Sequence, residues 1–124
     1  MTNQTPNPQP LSPVLATEDP AAYQLHSRKF FDEYQPTTPT ETQLTRELVD
    51  TVWRITRIPR LEAELLAQNP TPQTLAALGL YYTRLTRQFQ KTADMLREIQ
   101  AERLYPLRMG SIFQMNKSKP LASA

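Results

Sequence analysis

An all-α domain is what this sequence predicts, built as a long antiparallel helical hairpin with a short N-terminal helix packed across it. Three observations carry the prediction. Large side chains recur in steps of three and four over Leu75, Leu78, Tyr82, Leu85, Phe89, Thr92, Leu96, Ile99 and Arg103, the coiled-coil-like spacing that fixes one side of a helix against a partner. A cap residue followed by proline occurs three times, at Asp19-Pro20, Thr38-Pro39 and Thr71-Pro72, and proline at the first helical position costs nothing because its missing N–H has no intrahelical partner there. Only two glycines are present, and the twelve prolines fall mainly before and between the periodic stretches. With 124 residues the chain suits one domain and one core.

Residues 1–16 contain Pro6, Pro8, Pro10 and Pro13 among uncharged polar residues. They offer little to bury, so a disordered proline-rich arm is expected, with a polyproline ligand as the alternative. The helical domain then spans 17–105. Its first helix, over 20–34, sets Tyr23, His26 or Ser27, Phe30, Phe31 and Tyr34 along one side; at that length it needs docking to be ordered.

The second helix, over 39–67, carries Leu44, Leu48, Val52, Ile55, Ile58 and Leu65 on one stripe, with Leu61 and Leu66 on its shoulders. Thr38 and Glu41 form a capping box at its start. Pro59 removes one hydrogen bond inside it, so a bend is expected near Ile55 to Pro59. The short Gln68-Asn69-Pro70-Thr71 link makes the third helix, over 72–104, its antiparallel neighbour. Thr92 and Glu62 are polar residues within the seam that suit register-setting. Tyr105-Pro106 reads as a stop, which leaves 106–124 as a flexible basic tail whose short apolar cluster, Met109, Ile112, Phe113 and Met115, could fold back or grip a partner.

Fourteen Lys and Arg against twelve Asp and Glu give a net charge of +2, a balance too even to announce a polyanion partner. Without cysteine there is no disulfide framework, thiolate metal site or cysteine nucleophile. No apolar run approaches the ~20 residues that span a bilayer, so a cytoplasmic protein without membrane partners is expected. His26 is the only histidine, and neither Glu18, Asp32 nor Glu33 around it offers more than an ordinary surface charge. No catalytic, metal or cofactor constellation can be assembled, so the expectation is a non-enzyme.

Two kinds of surface are candidates for interaction. Trp53 and Val49 form an apolar spot outside the main stripe that something must cover. The first helix is the simplest cover, and a second copy of the hairpin is the other. Arg46, Arg57 and Arg60 lie near Trp53, and Arg84, Arg87 and Lys91 lie opposite the third helix's seam, so a salt-dependent nucleic-acid surface is the competing reading. Interhelical pairing of Glu47 with Lys91, and of Asp50 with Arg87 or Gln88, would absorb part of that charge.

From residue 18 onward the chain resembles a family of short, uncharacterised bacterial helical proteins. The resemblance lies in Glu18-Asp19-Pro20-Ala21-Ala22-Tyr23, in Glu33-Tyr34-Gln35-Pro36 with Thr40-Glu41, in Trp53-Arg54 leading to Arg60 through Leu66, and in Tyr82 through Arg87-Gln88-Phe89 to Leu96 and Gln100. It implies a helical fold, and no known activity carries over with it. Members often carry a basic, Gly- and Lys-containing segment before the first helix, where this chain has its uncharged arm. The function expected is a protein-interaction or assembly module, self-associating or binding another protein without a cofactor, with weak nucleic-acid binding as the alternative.

Overall fold

The computed structural model describes residues 12–118, with side chains from 12 to 105. Three helices follow in chain order: α1 (Pro20–Tyr34), α2 (Pro39–Leu66) and α3 (Pro72–Ser118). No strand occurs among the described residues. The domain is all-α, with α2 packed along α3 and α1 packed on α2.

Each start follows the capping chemistry of the sequence. The Asp19 carboxylate accepts from Ala21 N–H at 2.9 Å, Thr38 Oγ1 accepts from Glu41 N–H at 3.1 Å, and Thr71 Oγ1 accepts from Thr74 N–H at 3.2 Å. α1 ends with Gln35 in the left-handed region (φ 43°), its N–H returned to Phe31 O. In the turn between α2 and α3, Asn69 takes the same conformation (φ 49°), which asparagine tolerates better than most residues.

The core sits at the open end of the hairpin, away from its turn. Leu44 and Leu48 of α2 meet Ala93 and Leu96 of α3, with Phe30 and Tyr34 of α1 and Phe89 and Ile99 of α3 packed against them. Leu85, Ile58 and Val49 are also buried. Toward the turn the seam is more exposed. Leu75 and Tyr82 were expected in the seam, yet Tyr82 is 47% exposed and Leu75 37%, and Glu62 is on the surface. The physical reason is coverage: α1 lies over only the open-end half of the hairpin, so there is no third element to complete a core near the turn.

Two boundaries differ from expectation. α3 does not stop at Tyr105-Pro106 but continues to Ser118. An internal proline removes one hydrogen bond and crowds one preceding carbonyl, and α2 likewise runs on through Pro59; one such defect does not end a long helix whose flanking residues favour it. Residues 12–16, assigned to the disordered arm, are instead tied to α2, because Arg57 Nη2 donates to Pro13 O and Glu18 N–H donates to Leu15 O at 2.9 Å. Residues 1–11 of the arm and 119–124 of the tail lie outside the described residues, as do the side chains of the apolar cluster at 109–115.

Candidate functional site

Two buried carboxylates and one open groove organise the molecule's polar and apolar surfaces. Glu18, just ahead of α1, has a side chain only 9% exposed. Arg57 donates to it from Nε and from Nη2, each at 2.8 Å, and Trp53 Nε1–H donates at 3.1 Å. Leu15 N–H adds a bond at 2.9 Å, and Arg60 reaches it at 3.5 Å. The Arg57 hydrogen bonds outweigh the opposing effect of burial and, with Leu15 and Trp53, hold the Glu18 carboxyl at about 2. The same bonds push Arg57 upward.

Glu41, in the first turn of α2, is fully buried. Its carboxylate accepts from Thr37 N–H at 3.3 Å and from Thr38 Oγ1 at 3.1 Å. It also crosses to α3, where Arg103 donates from Nε at 2.8 Å and Gln100 from Nε2 at 3.1 Å. Burial pushes this carboxyl up, but the bonds from Arg103, Gln100, Thr37 and Thr38 prevail and bring it to about 2. Gln100 Nε2 also donates to Tyr34 O at 2.8 Å. One glutamate therefore caps α2, seals the α1–α2 corner and fastens α3.

Between these anchors α1 covers the Trp53 and Val49 spot. Tyr23 stacks edge-on against Trp53 with ring centroids 5.4 Å apart, and His26 lies 5.4 Å from Trp53 and 5.1 Å from Phe30. His26 Nε2–H donates to Val49 O at 2.8 Å, which places the ring proton on Nε2 because a carbonyl can only accept. Tyr23 OH donates to Asp50; burial first, and the Asp50 carboxylate second, push this phenol above its ordinary range.

These contacts redistribute the residues that the sequence singled out. Val49 is buried, Trp53 is packed against Tyr23 and His26, and Arg57 is neutralised by Glu18, so none of the three is a free surface group. Glu18, read as an ordinary surface charge, is a hub. Asp50 turns to Tyr23 rather than to Arg87 or Gln88, and no Glu47–Lys91 pair forms among the described residues. Asp50 lies on the side of α2 that α1 covers. Arg60 is partly exposed and shared between Glu18 and Glu64. Arg84, Arg87 and Lys91 stay exposed on α3; the two basic clusters do not combine into one face.

The groove lies where the hairpin opens. Ile55, Ile58, Pro59, Leu75, Leu78 and Tyr82 line it together with Thr56, Glu62 and Gly79, around a volume of about 640 Å³. A Cβ at Gly79 would meet nothing within 4 Å, so one wall is both small and unobstructed. The lining is chiefly aliphatic and carries one carboxylate. Among the described residues, no group of three or more His, Asp or Glu side chains gathers as a metal site, and no helix is long and apolar enough to cross a membrane. No family model, curated protein or solved structure matches the chain.

Proposed function

We propose that this protein is a non-enzymatic interaction module that binds a protein partner through the groove between the turn-proximal halves of α2 and α3. The observation carrying this reading is the position of the groove's apolar side chains. Leu75, Leu78 and Tyr82 belong to the same periodic seam as the buried Leu85 and Leu96, yet they face open space. A seam of this kind is stabilised by contact with another helix, and apolar surface concentrated in a concave site marks protein interaction.

The buried anchors support the same reading. Glu18 and Glu41 fix α1 and the open end, so the groove is presented by a pre-organised frame that loses little entropy on binding. The nucleic-acid alternative would rest on Arg84, Arg87 and Lys91, without Arg57 or Trp53.

Size-exclusion chromatography with light scattering and absorbance at two wavelengths, on protein purified from its native source at low salt, tests the two readings. The expected result is a protein-only assembly heavier than the 14.3 kDa chain that Gly79→Leu disrupts. A monomer carrying nucleic-acid absorbance, removed by high salt, would instead favour the basic face of α3.

A further inference from the structure

Resting on that reading, we infer that the groove's occupant is an amphipathic α-helix of another polypeptide, with a Lys or Arg set to meet Glu62. The shape comes first. At the open end, α2 and α3 receive α1, whose Phe30 and Tyr34 pack on Leu44, Leu48, Ala93 and Leu96. Gly79 precedes Ala93 by fourteen residues, about four helical turns, and so lies on the same side of α3. Ahead of α1, Pro13 and Glu18 lie against Trp53, Arg57 and Arg60, whereas Ile55, Ile58, Pro59 and Glu62 line the groove that α2 shares with α3. The vacancy continues the line along which Leu48 meets Leu96, so a helix seated there would pack on α2 and α3 together. From Ile55 to Glu62 it is about 10 Å long, about two turns of an occupant.

Gly79 fits that occupant. Glycine inside a helix costs roughly 1 kcal/mol relative to alanine, and within this chain nothing packs against the space it leaves. A helix seated in the groove would use that space for close approach.

Charge selects the chemistry. Glu62 is the one carboxylate of the lining, and among the described residues no cation pairs with it. Nearby Arg60 is taken by Glu18 and Glu64. Covering Glu62 with an apolar or acidic partner would strand or repel its charge, whereas a Lys or Arg would neutralise it. A two-fold contact of groove upon groove is less complementary, because it sets two concave surfaces facing each other and leaves the volume unfilled.

The test uses the full chain and two synthetic helices of about 14 residues, long enough to hold helical structure on binding. Both carry leucine at i, i+3, i+4 and i+7; one has lysine at its flanks and its twin has glutamate. Binding is followed by fluorescence anisotropy and by the amide resonances of Leu78 and Gly79. The lysine helix should bind about tenfold or more tighter than its twin and shift both amides. Glu62→Lys should reverse the preference. Gly79→Leu, whose Cβ would have nothing within 4 Å, should keep the thermal midpoint and weaken binding about tenfold or more.

Failure of both helices to bind, or binding that ignores Gly79→Leu, overturns the helix and the groove reading together. Equal binding of the twins, or indifference to Glu62→Lys, overturns the basic helix while leaving the groove as an interaction site. Self-assembly that Gly79→Leu converts to monomer does the same, by identifying the occupant as a second copy.

Discussion

Glu41 shows how much one side chain can fasten. Its carboxylate is out of solvent and accepts from two segments: Thr37 and Thr38 ahead of α2, and Gln100 and Arg103 on α3. Removing one member of a buried ion pair leaves the other uncompensated. Because Arg103 stays 34% exposed, Glu41→Gln should cost about 2–3 kcal/mol, below the fully buried case. Denaturant unfolding of the single and double variants with Arg103→Met should give a coupling well above that of an exposed pair. Thr51 is the opposite case. Its Oγ1 is buried without a hydrogen-bond partner among the described residues, a loss of about 1–3 kcal/mol for a desolvated polar group. Thr51→Val keeps the shape and removes the hydroxyl, so the thermal midpoint should rise; an unchanged or lower midpoint would mean that the hydroxyl has a partner in solution.

At the scale of the helix, burial along α3 is uneven. Leu85 is 5% exposed and Leu75 37%, although both occupy the same periodic stripe. Leu85→Asp places a charge in the core and should unfold the hairpin, seen as lost helicity by circular dichroism. Leu75→Asp should shift the melt by less than about 1 kcal/mol, as expected of a surface change. Equal damage at both positions would mean that the seam is closed along its whole length. α1 depends on its anchors in a different way: it is short, and it contributes no fully buried residue of its own. Glu18→Gln should therefore loosen it selectively, with faster amide exchange over 20–34 and little change over α2 and α3.

For the whole molecule, acid response follows from the two hubs. Glu18 and Glu41 both have folded-state values near 2, against 4.5 for the free side chain. A carboxylate whose value is depressed by folding stabilises the native state above its unfolded value, and the stabilisation is lost as pH falls through the folded one. Stability should thus decline between about pH 4.5 and 2, with the open end and α1 released together. Glu18→Gln and Glu41→Gln should each flatten that decline in denaturant titrations at several pH values. A wild-type profile that is level across this range would contradict the buried pairing. The two hubs divide the work, since Glu41 fastens the open end while Glu18 ties the start of α1 to Arg57 and Arg60 beside the groove.

The helices were legible in the chain because their signals are local. Asp19-Pro20, Thr38-Pro39 and Thr71-Pro72 each place a backbone cap within a few residues of its acceptor, and the steps of three and four in α3 repeat the geometry of one helix face. The cover of Trp53 by α1 was also expressed in the aromatic side of that helix. What only the tertiary structure decided was which charges meet and where the seam stops. Glu18 and Arg57 are separated by 39 residues, and Glu41 and Arg103 by 62, distances at which sequence spacing holds no directional information. Leu75 and Leu85 look alike in the pattern, since periodicity names the face of a helix but not the length over which another element covers it. The continuation of α3 through Pro106 belongs with these, because the cost of an internal proline is fixed locally while its tolerance depends on the rest of the helix. The sequence by itself determined the helices and their inward faces; packing in three dimensions determined the buried ion pairs and the groove.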